Sequence, residues 1–392
     1  MRGGHQTLRQ GSIAEAVTLL ALETAPKKTL AYLSLQATRE GQASHAHVHE
    51  IIHGLRQRNW QVRLFDPLYG LADLPVCALK RAIEFLRVQF ALLPSMFSVQ
   101  AIYIRSHAAA FPTALWARLF RIPVAQEING TVEDLFIAWP WTRRFARLLR
   151  WLMRMQLKWA DAVVVVTPQL KEWVISEVGQ LPVYVITNGA NTVLFSPEAV
   201  SSRALPERYV VFFGALALWQ GIDTLLGSVE RPEWPQDVHL VIAGDGVKLS
   251  LVRQVADRNS RVVYLGLIPY KEMPGIVARS IAGLSPQNNI SNRSDKGLSP
   301  LKVFETLACG VPVIVTDFPG QADLVRSGHC GLIVPPEDVA ALAQAVCYLY
   351  ERPQEAREMG ARGHDLVVHE HSWDHRAEAT AAVLDRVIKI KR

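Results

Sequence analysis

The chain of 392 residues is too long for one ordinary hydrophobic core, so its length predicts two domains. Hydrophobic residues make up 49% and charged residues 20%, a balance that excludes a disordered protein. Lysine and arginine exceed aspartate and glutamate by 42 to 36, an excess too small to indicate a nucleic-acid-binding protein.

The spacing of the cysteines and the N-terminal residues indicate in which cellular compartment the protein works. The four cysteines lie far apart and form no C-x-x-C pair, which argues against a disulfide framework or a structural zinc site. No apolar run reaches the roughly 18 residues of a membrane-spanning helix. Residues 1–27 lack a secretory pattern, because Glu15 and Glu23 interrupt their apolar run. We therefore predict a soluble, cytoplasmic protein in which residues 1–27 form a loosely ordered leader.

Apolar runs of strand length predict a first parallel sheet within residues 28–197. These runs are Leu30–Leu35, Val62–Phe65, Ala101–Ile104, Pro123–Ile128, Ala162–Thr167 and Val183–Ile186. Stretches of helical periodicity lie between them, such as His45–Arg58 and Phe111–Phe120. Strands that alternate with helices form parallel sheets covered on both faces.

Polar residues follow several of these predicted strands. Glu40, Gly41 and Gln42 lie in the loop after the first strand, and His107 follows the third. Glu127 and Asn129 end the fourth strand. Ligands bind beyond the carboxyl ends of parallel strands, so these residues are candidates for a site. A carboxylate that only caps the next helix remains the alternative for Glu127.

Two further features of the first half have competing interpretations. His45, His47 and His49 cluster, but their spacing places only two on one helical face, which favours solvated or capping histidines over a metal site. Residues 139–159 form a basic amphipathic segment with aromatic flanks. Its basic residues follow one stripe: Arg143, Arg147, Arg150, Arg154 and Lys158.

Such a basic segment suits an anionic membrane surface. The alternative is a helix that buries Leu148, Trp151 and Leu152 against its own sheet and leaves the arginines in water. The sequence alone leaves both interpretations open.

A polar stretch at residues 197–207 separates a second set of strands, so we place the domain boundary there. The second set is Tyr209–Phe213, His239–Ala243, Val262–Leu265, Ile281–Leu284, Val313–Thr316 and Gly331–Val334. The predicted fold class is α/β, with two Rossmann-like domains, 28–197 and 207–370, whose parallel sheets face each other across a cleft. Residues 371–392 are predicted to form a C-terminal helix that crosses back to the first domain.

Four signals follow one another in the second domain. They are Phe213–Asp223, Ile242–Gly246, Tyr264–Gly266 with Ala282–Pro286, and Gly297–Ile314. The first two are strands that end in glycine turns, at Gly214 and Gly244. The last has a direct physical interpretation.

Ser299 and Pro300 are typical of a helix start, since proline is tolerated in the first turn. The exposed N–H groups and the helix dipole there favour a phosphate. Lys302 adds a mobile positive charge, and Glu305, one turn further, can accept hydrogen bonds from the two hydroxyls of a ribose. Gly310 then ends the helix.

With these four signals in this order, residues 209–335 closely resemble the nucleotide-sugar domain of the retaining family-4 glycosyltransferases (glycosyl transferases group 1). Asn188-Gly189 resembles that family's interdomain loop, and Val163–Thr167 with Pro168 resembles its last N-terminal strand and turn. The resemblance covers most of residues 28–380. It implies the GT-B fold and retention at the anomeric carbon.

The resemblance also implies a function. A sugar would pass from a UDP- or GDP-linked donor to a glycan or lipid-linked acceptor, in cell-surface polysaccharide or glycoconjugate synthesis. The enzyme would work in the cytoplasm or at the inner face of the plasma membrane. No metal or cofactor is expected, because a helix dipole and basic side chains hold the diphosphate in such enzymes.

Carried over residue by residue, the resemblance assigns the site. The donor-binding residues are Ser299, Pro300, Leu301, Lys302, Glu305, Gly214, Gln220, Gly244 and Asn188. The loop Glu40, Gly41 and Gln42 would face the donor phosphates and the acceptor. Glu127, Asn129 and His107 are the candidate catalytic residues, near the place where many relatives carry a histidine.

The sequence departs from the family pattern at three positions. Glu305 matches the second glutamate of the family's Glu-x7-Glu motif, but the first falls on Gly297. The usual basic residues beside the first signal fall on Ala215 and Gln220. Neutralisation of the diphosphate must then depend on Lys302, with Arg293 or Lys296 as further partners.

Other protein classes remain as alternatives. The three departures are compatible with a non-catalytic nucleotide-sugar-binding subunit. A sugar-nucleotide 2-epimerase shares the architecture but does not predict residues 299–302 ahead of Glu305. A dinucleotide oxidoreductase is disfavoured, since no Gly-x-Gly-x-x-Gly follows the first strand.

Overall fold

The fold consists of two six-stranded parallel sheets with helices on both faces. The computed structural model describes residues 27–36, 43–68, 77–290 and 293–391. The strand orders are β2-β1-β3-β4-β5-β6 and β12-β11-β10-β7-β8-β9. The predicted fold class is confirmed. Each of the twelve predicted strands overlaps a strand of one of the two sheets.

The first sheet and its helices precede residue 186. Its strands are β1 (Lys28–Ser34), β2 (Trp60–Phe65), β3 (Ala101–Arg105), β4 (Val124–Ile128), β5 (Ala162–Val165) and β6 (Val183–Val185). Its helices are α1 (Ala43–Gln57), α2 (Ala78–Leu92), α3 (Phe111–Leu119), α4 (Glu133–Ala138), α5 (Ala146–Trp159) and α6 (Pro168–Val178). Every residue of β4 and β5 is buried, as both faces of a parallel sheet require.

The second sheet follows residue 208. Its strands are β7 (Tyr209–Phe213), β8 (His239–Ala243), β9 (Val262–Gly266), β10 (Gly283–Ser285), β11 (Val313–Thr316) and β12 (Gly331–Val334). Its helices are α7 (Ile222–Val229), α8 (Leu249–Ala256), α9 (Met273–Val277), α10 (Leu301–Ala308), α11 (Gln321–Gly328), α12 (Val339–Glu351) and α13 (Pro353–Glu370).

The hydrophobic cores show where the chain changes domain. Phe195 is fully buried and packs with Tyr209 and Val211 of the second sheet. The chain therefore passes to the second domain before Phe195, upstream of the polar stretch at 197–207. Helix α14 (Trp373–Lys391) packs in the core of the first sheet, where Leu384 and Val387 are buried beside α1.

The two segments that join the domains are bound to each other. Ala190 N–H donates to the His371 carbonyl and Trp373 N–H donates to the Ala190 carbonyl. Arg376 donates to the Thr187 hydroxyl at 2.6 Å. The two crossings therefore lie side by side as one short bridge.

The basic segment 139–159 lies on the surface of the first domain. It is a 3-10 turn, Pro140–Phe145, followed by α5, which buries Met153, Gln156 and Leu157. Leu148 and Trp151 are 53% and 51% exposed, so the structure does not match the alternative in which both are buried against the protein's own sheet. In the described part of the chain, no helix has the length and apolarity to cross a bilayer.

Candidate functional site

Glycine turns at the ends of β7 and β8 open the second domain's side of the site. Gly214 has φ 120° and Gly244 has φ 143°. A Cβ on Gly244 would overlap the Gly214 carbonyl oxygen, so the two turns pack backbone against backbone. Only glycine permits this approach. It also places the Gly214 backbone beside Lys302 of α10, since a Cβ on Gly214 would lie 3.7 Å from the Lys302 ammonium.

Helix α10 begins at Leu301 after Pro300, as the sequence predicts. The first N–H groups of an α-helix have no partner four residues earlier; here the Val303 N–H donates to the Pro300 carbonyl at 3.1 Å. The Asn188 N–H donates to Ser299 Oγ at 3.2 Å, and Asn188 Nδ2 donates to the Ser299 carbonyl at 2.5 Å. The interdomain loop thus fixes the residue ahead of the helix.

Lys302 lies under the glycine turns and is almost fully buried. Its ammonium donates to Gln220 Oε1 at 2.8 Å and lies 3.7 Å from the centre of the Phe212 ring. Burial lowers the pKa of Lys302 to about 7, although the charge of Glu305 acts to raise it. Gln220 accepts this hydrogen bond and so orients Lys302.

Glu305 lies one turn further along α10 and is 4% exposed. Tyr270 donates its hydroxyl hydrogen to Glu305 Oε1 at 3.0 Å. Burial raises the pKa of Glu305 to about 7, against the opposing effects of Tyr270 and Lys302. The hydrogen bond holds the carboxylate in one orientation.

The glutamate missing at position 297 has a structural reason. Gly297 has φ 80°, and a Cβ there would lie 2.7 Å from Gln169 Oε1 and 2.9 Å from Thr167 Cβ. Thr167 also donates to the Lys296 carbonyl at 2.7 Å. This loop therefore packs closely on the start of α6, in the other domain.

Replacing Gly297 with glutamate is expected to destabilise the packing of this loop on α6 rather than restore the Glu-x7-Glu motif. A glutamate would have to adopt a positive φ and would contact Thr167, which together should lower the free energy of unfolding by about 1–3 kcal/mol. Gly179→Glu is the matched control, because Gly179 has φ 85° and no atom lies within 4 Å of the position that a Cβ would take there. Thermal unfolding should show the larger drop for Gly297→Glu, and equal drops would contradict the packing argument.

A buried polar cluster surrounds Glu127 at the end of β4. Glu127 is 1% exposed, and Tyr103 donates to its Oε2 at 2.8 Å. His47 Nε2 lies 3.0 Å and Arg105 Nε 3.8 Å from its Oε1. Burial acts to raise the pKa of Glu127, but the charges of His47 and Arg105 and the hydrogen bonds from His47 and Asn129 together hold the pKa below its usual range.

The other predicted residues of the first domain occupy different places. Asn129 donates its side-chain amide to Glu127 Oε1. His107 caps a 3-10 turn by accepting from Ala109 N–H at 3.2 Å, and burial lowers its pKa to about 4. Glu40, Gly41 and Gln42 lie outside the described residues.

One chain of contacts joins the two halves of the site. His47 Nδ1 lies 2.9 Å from Asn188 Oδ1, and Asn188 in turn binds Ser299. The Glu127 cluster is thereby connected to the start of α10. The sequence singled out Asn188 and Glu127 but gave no role to Tyr103 or Tyr270. Its expectation that His47 is a solvated or capping histidine is wrong, because the fold buries His47 between Glu127 and Asn188.

A cavity of about 270 Å³ opens beside this junction, between α5, α6 and the loop that carries Lys296. Arg150, Arg154, Trp173 and Glu177 are among its lining residues. Nearby, Arg293 of the second domain pairs with Asp134 of the first at 2.9 Å. The cavity therefore lies where both domains contribute side chains.

Comparison with known proteins defines the class. A model described as Glycosyltransferase Family 4 matches residues 44–194, and one described as Glycosyl transferases group 1 matches residues 207–352. Together the two models cover more than half of the chain. The chain belongs to the family-4, or group 1, glycosyltransferases.

Curated relatives and solved structures agree with this class. Alpha-maltose-1-phosphate synthase of Mycolicibacterium smegmatis is 28% identical over 60% of this chain and 66% of its own length. A GDP-mannose-dependent alpha-(1-6)-phosphatidylinositol monomannoside mannosyltransferase of the same species is 26% identical over 70% and 74%. The matches thus span about two thirds of the first of these relatives and three quarters of the second.

Two solved structures share the fold. Sucrose-phosphate synthase from Thermosynechococcus elongatus has a TM-score of 0.76 and 17% identity, over 93% of this chain and 100% of its own. Anabaena Alr3699/HepE in complex with UDP-glucose has a TM-score of 0.68 and 16% identity, over 91% and 99%. At these identities the likeness establishes the GT-B fold.

Proposed function

We propose that this protein is a glycosyltransferase that takes sugar from a nucleoside diphosphate donor. The observation that carries the proposal is the start of α10, where Lys302 and Glu305 lie one turn apart below the glycine turns of β7 and β8. A cation and free N–H groups suit a diphosphate, and an oriented carboxylate suits a ribose.

The donor is UDP- or GDP-linked. One structural relative is described in complex with UDP-glucose, and one sequence relative is described as GDP-mannose-dependent. Lys302 and the α10 N-terminus stabilise the charge that develops on the leaving diphosphate, so transfer needs no metal or cofactor. The reaction proceeds with retention at the anomeric carbon, as the family resemblance implies.

Glu127 acts as a positioning residue. Both of its carboxylate oxygens are engaged by Tyr103, His47 and Asn129, and it has almost no exposed surface. It therefore orients His47 and Asn129 at the edge of the cleft. His107 holds the turn that follows β3.

The acceptor is a glycan or a lipid-linked sugar in polysaccharide or glycoconjugate synthesis. It enters from the first domain's side, where the 270 Å³ cavity offers Trp173 for stacking on a sugar ring and Arg154 for an anionic group. The reaction takes place in the cytoplasm, at the inner face of the plasma membrane.

Purified full-length protein tests the proposal. It is incubated with UDP- and GDP-sugars, and released nucleotide, free sugar and epimerised sugar are measured, with and without an extracted lipid-linked acceptor. Release of nucleotide with transferred sugar supports a transferase. Tight nucleotide binding without turnover would identify a non-catalytic binding subunit, and a free epimerised sugar would identify an epimerase.

The basic segment 139–159 is the contact with an anionic membrane. Trp139, Trp141 and Phe145 are each at least 41% exposed, alongside Trp151 and a row of exposed basic side chains. Basic residues near an anionic surface contribute about 1 kcal/mol each, and tryptophan favours the headgroup level. The segment would bring the first domain towards a lipid-linked acceptor.

An Arg147→Gln, Arg150→Gln, Arg154→Gln variant is expected to lose most of its flotation with anionic vesicles at low salt. Attraction between exposed charges is screened within about 10 Å at 0.1 M salt, so the wild-type protein should also bind less as salt rises. An Arg352→Gln, Arg357→Gln, Arg362→Gln variant, changed on α13 and at the residue just before it, is the control. If the wild type fails to float with anionic vesicles at low salt, this contact is wrong.

A further inference from the structure

Helix α2 carries a second apolar face that is largely exposed on the surface of the first domain. Its inner face buries Val88, Gln89 and Leu92. On the other side lies a row that we call the α2 stripe: Leu79, Ile83, Leu86 and Phe90, which are 71%, 58%, 49% and 58% exposed. Their spacing of four, three and four residues places them on one line of the helix.

The orientation of this stripe is fixed by Gln89. The Gln89 side chain donates to the carbonyls of Phe85 and Ala109 and accepts from both the N–H and the hydroxyl of Thr113. The two bonds from Thr113 attach α2 to α3, and the bond to Ala109 attaches it to the 3-10 turn ahead of α3, so the rotation of α2 is fixed. The apolar stripe therefore points outward as a defined feature of the fold.

The stripe continues across the surface to the basic segment 139–159. The ring of Phe90 lies 5.5 Å from that of Trp116 on α3, and Phe111 of α3 lies 5.5 Å from Trp151 of α5. At the other end of α2, Arg81 stacks 4.5 Å from the centre of the Trp139 ring. Exposed Phe97, Leu119 and Phe120 extend the same face.

The sequence that carries the stripe and the basic segment is mostly positive, although Asp66 lies near Glu84 and Arg87 and Glu133 pairs with Arg150. Between residues 78 and 126 the sequence has six basic residues and one acidic residue, Glu84, which is paired with Arg87. Between Leu135 and Ala160 it has six basic residues and no acidic one. A second copy of this face would be repelled by the first, whereas an anionic bilayer offers both hydrocarbon and opposite charge.

We propose that the α2 stripe inserts its side chains into an anionic lipid bilayer, as the apolar half of a contact whose electrostatic half is segment 139–159. The inference deepens the membrane contact of the proposed function. Apolar side chains at the acyl boundary hold a protein where charge alone gives only salt-sensitive attraction. The stripe also orients the first domain, since two separate helices then touch the membrane plane.

Vesicle flotation at low and high salt tests the proposal, using equal parts of phosphatidylglycerol and phosphatidylcholine. An Ile83→Ser, Phe90→Ser variant should bind at least tenfold more weakly than wild type at high salt and keep part of its binding at low salt. Val200→Ser, Leu267→Ser is the matched control, because both side chains are exposed valine or leucine of the second domain. Equal flotation of wild type and the Ile83, Phe90 variant at every salt concentration would overturn the proposal.

Two further measurements separate the other outcomes. A fluorophore on Leu86→Cys, with Cys77 and Cys347 replaced by serine, should shift to the blue on anionic vesicles; an unchanged spectrum contradicts insertion. Sedimentation without lipid should show that the wild-type protein is a monomer. A wild-type dimer that the Ile83, Phe90 variant abolishes would mean that a second copy covers the stripe, and would contradict the proposal. The variant should bind UDP and GDP as tightly as the wild type does. Failure of the proposed donor binding would therefore be recognised separately from failure of the membrane contact.

Discussion

Replacing Lys302 with alanine is expected to lower the affinity for UDP or GDP about 10- to 100-fold, the value of hydrogen bonds to a charged group. Affinity for uridine or guanosine should change far less, because the ammonium lies beside the Gly214 turn, where we propose that the diphosphate binds. Calorimetry with the nucleoside and the nucleoside diphosphate measures the difference directly. Lys389→Ala, on the exposed face of α14, is the control for loss of a positive charge.

The pH dependence of the same binding gives a second signature. Because burial lowers the pKa of Lys302 to about 7, the lysine is protonated below that pH and loses its charge above it. The diphosphate contribution should therefore fall as pH rises through 7 in the wild type. In Lys302→Ala this fall should disappear. Equal losses for nucleoside and nucleoside diphosphate, or a ratio of their two affinities that does not change with pH, would contradict the role of Lys302.

Replacing Glu305 with alanine is expected to weaken nucleotide binding by about 1.5–3 kcal/mol, through loss of hydrogen bonds to the ribose. The loss should appear for the nucleoside as well as the diphosphate, in contrast to Lys302→Ala. Burial raises the pKa of Glu305 to about 7, and the ionised carboxylate is the better acceptor. Nucleoside affinity of the wild type should therefore rise with pH through 7.

A double-mutant cycle makes the Glu305 assignment specific. Wild type should bind a 2′,3′-dideoxynucleoside diphosphate much more weakly than the ribose form, whereas Glu305→Ala should not discriminate between them. Tyr270→Phe removes only the phenol that orients the carboxylate, so its loss should be smaller. Discrimination that survives in Glu305→Ala would remove this residue from the ribose site.

The sequence predicts the strands and the start of α10 well, because each depends on local chemistry. Buried parallel strands are continuous apolar runs, and the proline ahead of Leu301 marks a helix start. The passage between the domains lies earlier than the sequence indicates, since the polar stretch at 197–207 hides the fact that Phe195 belongs to the second core.

The Glu127 cluster shows what sequence reasoning cannot reach. Tyr32 lies opposite Tyr103 across β1 and β3, and Arg105 lies opposite Glu127 across β3 and β4. That register is set by pairing of strands distant in sequence. The α2 stripe is a similar case. Helical periodicity can show that a helix has two apolar faces, but it does not show which of them packs on the core.

The bridge formed by residues 187–190 and 371–376 limits how the domains can move. Because two neighbouring crossings are tied by hydrogen bonds, we expect any relative movement of the domains to be a rotation about this bridge rather than a free separation. Because α14 is built into the first domain, removing it would uncover α1 and strip the first domain of part of its core. Affinity tags or truncations at this end of the chain therefore test the stability of the acceptor side, although they lie next to the donor domain in sequence.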